Sequence, residues 1–220
     1  MTASLSAPRR CRIVILISGS GSNLQAFIDA IANGDLPAEI AGVVSNRADA
    51  FGLERARQAH IPTTVLDHKL FASREDFDAA LQTLIDSYQP DLLILAGFMR
   101  ILTAGFVRHF HGRLLNIHPS LLPKYPGLHT HQRALDAGDS EAGATVHFVT
   151  EELDGGPAIV QVRAPIIAGD TATTLAQRIL QHEHAIYPLA AQWFAEGRLV
   201  LRGNRAELDG KLLPPTGVVK

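Results

Sequence analysis

Asn116 and His118 are the residues whose types and spacing most directly suggest chemistry. They close the apolar run Leu115-Asn116-Ile117-His118, after which the irregular segment Pro119-Ser120-Leu121-Leu122-Pro123 takes over. In extended backbone, side chains two apart project from the same face, so both can address one pocket. Asn is a neutral hydrogen-bond donor, and His titrates closest to neutral pH. The pair suits a step in which an oxyanion forms while a proton moves. Each also has a plain structural role open to it, the Asn as a backbone cap and the His as a satisfied core residue.

A second candidate is Ser18-Gly19-Ser20-Gly21-Ser22-Asn23, between an apolar run and a helical stretch. Its glycines permit close backbone approach, and free N–H groups at a helix start bind anions. The dinucleotide fingerprint is not met, because Leu24 stands where its third glycine belongs. Nor does an acidic residue end the second strand, where Ser45-Asn46-Arg47 is found. The loop therefore predicts a phosphate monoester site ahead of a structural turn, with a dinucleotide behind both. Asp154, in Leu153-Asp154-Gly155-Gly156-Pro157, reads either as a turn residue or as a carboxylate that favours the charged form of His118. His129, His131 and His147 match no ligand spacing with His118, and no metal is expected. A Gly-x-Ser-x-Gly elbow is missing, so direct transfer between two bound substrates is expected rather than an acyl-enzyme.

The elements that must position these groups follow from hydrophobic patterning. Short apolar runs at 12–17, 40–45, 63–66 and 92–96 read as strands, the first and last without alternation, as in parallel strands covered on both faces. Helical spacing covers 23–32, 52–58 and 74–87, with a capping pattern from Ser73 to Asp76 and a stop at Gln89-Pro90-Asp91. A helix over 104–110 and a strand over 113–117 follow. Such alternation predicts an α/β fold with a mostly parallel central sheet and helices on both faces. In open sheets of this kind ligands bind beyond the carboxyl ends of the strands, which is where the glycine loop and the Asn116–His118 pair should meet. Farther on, 131–137 reads as a helix, 143–149 as a strand and 157–166 as a second strand that can run antiparallel to it. A long helix over 173–194 is expected to be interrupted at Tyr187-Pro188, and 198–213 to form a hairpin around Asn204.

Composition excludes several classes. The net charge of -2 gives no footprint for nucleic acid or an anionic membrane. The single cysteine, Cys11, rules out a disulfide framework and reads as a buried thiol. No run is long and apolar enough for a signal sequence or a membrane span, so a cytoplasmic protein is expected. Residues 1–10 read as a short disordered tail and 11–220 as one domain.

Taken together, the motifs resemble those of the folate-dependent formyltransferases, collinearly over about residues 13–215. The broad signature is Asn116-x-His118-Pro119-Ser120-Leu121-Leu122-Pro123 with Asp154-Gly155-Gly156 downstream. Narrower marks are Ile17-Ser18-Gly19-x-Gly21-Ser22-Asn23-Leu24, Tyr125-Pro126-Gly127-Leu128-His129-Thr130-His131 and Glu183-His184-Ala185-Ile186-Tyr187-Pro188. The resemblance implies a Rossmann-like formyltransferase fold. It also implies transfer of the formyl group of 10-formyltetrahydrofolate, as co-substrate, to the amine of 5-phosphoribosylglycinamide. It assigns His118 as general acid/base, Asn116 as the donor to the formyl oxygen, and Asp154 as the carboxylate that supports His118. Gly21, Ser22 and Asn23 would cradle the phosphate, and Glu183 would meet the ribose or amine end. Arg74, Met99, Arg100, Ile101, Leu102 and Asn116 would face the folate, with Thr150, Glu151, Glu152, Leu153 and Asp154 as a loop over the pterin. The implied partners are small molecules alone, with no nucleic acid or membrane, and the protein would be a monomer or homodimer.

Three rivals follow. A tRNA-directed formyltransferase would be expected to carry a further C-terminal domain, and a formyltetrahydrofolate hydrolase an N-terminal regulatory one. A non-catalytic phosphate-ligand protein would use the glycine loop without turnover.

Overall fold

β1 (Cys11–Ile17) organises the molecule, because its alternate side chains enter two different cores. Ile13, Ile15 and Ile17 join one apolar cluster with α1 (Ser22–Ala32) and α6 (Ala172–Ala195). Val14 and Leu16 join another, with α3 (Arg74–Ser87) and α4 (Ala104–His109). Burial on both faces is why this strand shows no polar alternation. The computed structural model describes residues 9–220. The first eight residues of the expected tail lie outside the described residues, and Arg9 pairs with Asp91 at 2.5 Å.

The remaining strands and α-helices are β2 (Ala38–Ser45), α2 (Gly52–Gln58), β3 (Thr63–Val65), β4 (Leu92–Leu95), β5 (Leu114–His118) and α5 (Thr130–Asp136). They are followed by β6 (Glu141–Phe148), β7 (Ala158–Pro165), β8 (Leu199–Arg202), β9 (Arg205–Leu208), β10 (Lys211–Leu212) and β11 (Val218–Val219). An eight-stranded sheet has the order β11-β7-β6-β5-β4-β1-β2-β3, and β10-β9-β8 form a small second sheet. The pairs β3–β2–β1–β4–β5 are parallel, whereas β6 runs antiparallel to both β5 and β7. This is a single-domain α/β fold with a mostly parallel sheet, as the alternation of elements predicts.

Three local expectations meet the structure differently. Ser73 caps α3 by accepting from the Asp76 N–H, as its sequence pattern indicates. The hairpin forms around Gly203 and Asn204, with Arg202 opposite Arg205. The long helix is not interrupted: α6 runs through Pro188. Proline removes one intrahelical bond, but Ile186, Tyr187, Ala190 and Ala191 around it are all buried in the core. The Tyr187 hydroxyl lies 2.9 Å from the Leu95 carbonyl and 3.0 Å from that of Leu115, anchoring the helix to β4 and β5. Among the described residues no helix is long and apolar enough to cross a membrane.

Candidate active site

The parallel order β4–β5 and β1–β4 brings the ends of β1, β4 and β5 side by side. Within β5, Leu114 belongs to the α3–α4 core, whereas Leu115 and Ile117 belong to the α1–α6 core. Alternation therefore turns Asn116 and His118 together toward the α3–α4 face. The antiparallel neighbour β6 places His147 opposite Asn116 and Thr145 opposite His118. The segment after β6 then folds back so that Asp154 reaches His118 and His147.

The hydrogen bonds fix most of the proton positions. His147 Nδ1 lies 2.9 Å from the Phe148 carbonyl, which can only accept, so Nδ1 carries the proton. Nε2 is then the acceptor for the Asn116 Nδ2 donor at 3.2 Å. Burial pushes the His147 pKa down to about 4, which keeps the ring neutral. Its 3.9 Å approach to Asp154 is thus a contact between a neutral ring and a carboxyl group, not an ion pair. One N–H of the Asn116 amide is held this way, and the other is left for a ligand.

His118 Nε2 lies 2.8 Å from the Tyr125 carbonyl and must donate to it. Nδ1 faces Asp154 Oδ2 at 3.4 Å, longer than a good hydrogen bond, so this is the nitrogen with room for a reactant or water. Asp154 Oδ2 also accepts the Gly127 N–H at 2.8 Å. Both carboxyl and imidazole side chains are 8% exposed, so their field is poorly screened. Asp154 sits at φ 53°, followed by Gly156, where an added Cβ would come within 1.8 Å of the Phe148 carbonyl oxygen. Only glycine lets the chain turn here and aim the carboxylate inward.

The 119–123 segment is held from below. Thr145 Oγ1 donates to the Ser120 carbonyl and accepts from the Leu122 N–H and from Gln161 Nε2. Gln161 also donates to the Leu122 carbonyl at 2.7 Å. His131 lies behind this segment, its pKa lowered by burial and then by the charge of His118.

At the end of β1, Gly21 takes φ 68° and precedes α1 without any side-chain cap. An added Cβ at Gly21 would meet Gly52 Cα at 2.5 Å, so glycine is needed for both reasons. The uncapped N–H groups of Ser22 and Asn23 form a ready anion site. Asn23 Nδ2 donates to Glu183 Oε2 at 2.9 Å, joining α1 to α6. Burial raises the Glu183 pKa, and the Asn23 bond partly opposes it. A groove of about 400 Å³ runs from Ser22 along α1 to Asn33, flanked by Arg55 and His184.

The other expected ligand residues are distributed unevenly. Met99 and Ile101 project from the segment after β4, 66% and 59% exposed. Leu102 packs against the α3–α4 core, and Arg100 stacks its guanidinium over Phe77. Leu153 is exposed at the tip of the loop over Asp154, with Thr150 bonded to the Glu152 carbonyl and Glu151 paired with Arg108. Arg74 begins α3, where its charged neighbour is Glu75, and among the described residues no hydrogen bond or ion pair joins it to the His118 cluster. Among the described residues no group of three or more His, Cys, Asp or Glu could hold a metal ion. The sequence missed the role of His147, treated there as a possible metal ligand, and that of the Tyr125 carbonyl. The alternation Thr145–His147 on an antiparallel neighbour was the available signal for the first.

Comparison with known proteins bears on this geometry. A family model described as formyl transferase matches residues 11–191. The phosphoribosylglycinamide formyltransferase of Escherichia coli (strain K12) is 59% identical over 205 residues, covering 93% of this chain and 97% of that protein. The trifunctional purine biosynthetic protein adenosine-3 of Homo sapiens is 45% identical over 196 residues, covering 89% of this chain but 19% of that protein. Among solved structures, the phosphoribosylglycinamide formyltransferase from Coxiella burnetii superposes with a TM-score of 0.92 at 55% identity, covering 96% of this chain and 99% of the other.

Proposed function

The chain belongs to the formyl transferase family, and on that premise we propose that it moves the formyl group of 10-formyltetrahydrofolate to the amine of 5-phosphoribosylglycinamide, a step of purine biosynthesis. The observation that carries this reading is the Asn116–His147–Asp154–His118 cluster at the end of β5, two strands from an uncapped anion site at α1. One end holds a phosphate, and the other offers a donor and a proton carrier.

The acceptor amine attacks the formyl carbon, and the carbonyl electron pair moves onto oxygen. The free N–H of Asn116, aimed by His147, stabilises that oxyanion. His118 Nδ1 and Asp154 handle the proton that leaves the attacking nitrogen and the one that reaches N10 of the folate. Collapse of the tetrahedral species breaks the bond from carbon to N10 and leaves a formamide and tetrahydrofolate. Gly21, Ser22 and Asn23 anchor the phosphate, and Glu183 meets the ribose or amine end. Met99, Arg100, Ile101 and Leu102 line the folate side with the Thr150–Asp154 loop, and Arg74 lies at its margin. No metal takes part. The reading places the protein in the cytoplasm, as a monomer or homodimer acting on small molecules, with residues 11–220 as the working unit.

The test is formyl transfer to 5-phosphoribosylglycinamide, followed by the absorbance of the folate product. His118→Ala and Asp154→Ala are each expected to lower kcat by about 10²–10⁴-fold with thermal stability little changed. Near-normal rates in both variants would refute the assigned roles. Turnover with water and none with the amine would favour a hydrolase, and tight binding without turnover a phosphate-ligand protein.

A further inference from the structure

The segment after β4 is fastened at two points by buried groups that the proposed reaction does not use. Ser18, just past β1 and 5% exposed, accepts the Met99 N–H at 2.8 Å. Its own proton goes to Asn46 Oδ1 at 2.6 Å, which ties the ends of β1, β2 and β4 into one junction. The donor directions are fixed, because Met99 N–H can only donate and the Asn46 oxygen can only accept.

At the other end, Asp78 on α3 is 3% exposed and accepts the Thr103 N–H at 2.6 Å through Oδ2. Asp78 Oδ1 is buried with no partner among the described residues. Burying a carboxyl group with half its hydrogen-bonding capacity unused is unfavourable for stability alone. A third contact adds to the fastening: the Arg100 guanidinium lies 5.6 Å from the centre of the Phe77 ring, next to Asp78 on α3. Along the fastened stretch, the Met99 and Ile101 side chains project 66% and 59% exposed. Apolar side chains held outward on stiff backbone make a preset surface for a flat apolar ligand, and pre-organisation saves the ordering cost of binding.

We propose that Ser18 and Asp78 are positioning residues that hold residues 97–103 as a platform for the folate co-substrate, setting its affinity without touching it. This rests on the folate reading given above. Removing either fastening lets the platform fluctuate, so folate binding weakens while the phosphate site at α1 and the His118 cluster keep their geometry.

Steady-state kinetics in both substrates test this with Asp78→Ala, Asp78→Asn and Ser18→Ala. Asp78→Ala and Ser18→Ala are expected to raise the KM for 10-formyltetrahydrofolate by about tenfold, the scale of one lost hydrogen bond. The acceptor KM and the kcat at saturating folate should stay within about threefold of the parent. Asp78→Asn keeps an oxygen for the Thr103 N–H and is expected to restore most of the folate KM. A parallel rise in acceptor KM, a fall in kcat at saturating folate, or an Asn variant as impaired as the Ala variant would overturn the proposal. Amide exchange gives a readout that needs neither turnover nor a stable Asp78 variant. The Met99 and Thr103 amides should be protected in the parent, and Ser18→Ala should speed exchange at Met99 specifically. Unprotected amides in the parent would overturn the platform, whereas absence of transfer by a parent with protected amides would overturn the folate reading instead.

Discussion

Glu183→Gln should stabilise the folded chain near neutral pH while weakening its hold on the acceptor. Among the described residues Glu183, 8% exposed on α6, receives one bond, from Asn23 Nδ2, while Asn23 Oδ1 is buried with no partner. An ionised carboxylate cannot donate, so it leaves that oxygen unsatisfied. A glutamine there keeps the acceptor for Nδ2 and brings an N–H₂ for Asn23 Oδ1, closing a reciprocal amide pair. Satisfying a buried orphan gains about 1–3 kcal/mol, and at this chain length each 1 kcal/mol raises Tm by about 2–4 °C. The pH dependence follows from the direction of the shift. Burial raises the Glu183 pKa above its ordinary 4.5, so the folded chain holds this proton more tightly than the unfolded one. The parent is therefore at full strength below 4.5 and loses stability as the pH climbs from there through the higher folded value. Below that window the protonated carboxyl can itself donate to Asn23 Oδ1, and the advantage of glutamine should vanish. Calorimetric melting of both proteins at pH 7.5 and pH 4 measures this, and acceptor KM measures the functional side. A Tm at pH 7.5 equal to or below that of the parent, or an undiminished gain at pH 4, would refute the reasoning.

Four further variants have expected outcomes. Asn116→Ala should lower kcat by about 10²–10³-fold, the usual effect of losing one donor to an oxyanion, whereas His147→Leu should lower it by about tenfold through misalignment of the amide. Because burial pushes the His147 pKa down to about 4, the pH profile of the His147 variant between 6 and 9 should keep its shape; a shifted profile would contradict its neutral role. Tyr187→Phe strips the proton shared between the Leu95 and Leu115 carbonyls in a fully buried site, and thermal melting should show a loss of about 1–3 kcal/mol. Gly156→Ala forces a Cβ onto the Phe148 carbonyl oxygen, so the Asp154 loop must move and kcat should fall by about 10²-fold or more; near-parental turnover would show that the loop's path matters little.

The parts of this molecule that were legible in its sequence are those set by local rules. The two-core pattern of β1, the Ser73 cap on α3 and the uncapped glycine turn before α1 are each written in a few adjacent residues. Asn116 and His118 share a face because strand geometry has period two, whatever surrounds them. Pro188 misled because the local rule is right about the lost bond but silent about the burial that outweighs it. β11, two residues long, carries too little pattern to be seen, and only its pairing with Val160 and Gln161 reveals it.

The illegible parts of the site share one physical origin: a cross-strand or backbone partner. His147 matters through register with Asn116, 31 residues away, and register is a tertiary quantity. The Tyr125 carbonyl leaves no trace in residue type, since every residue has one, yet it decides which nitrogen of His118 is free. The same holds for the Met99 and Thr103 amides that Ser18 and Asp78 hold. The sequence names the groups that can react, while backbone donors and acceptors decide where they point. Variants of those supporting side chains, more than of His118 itself, therefore discriminate between this geometry and a mere collection of suitable residues.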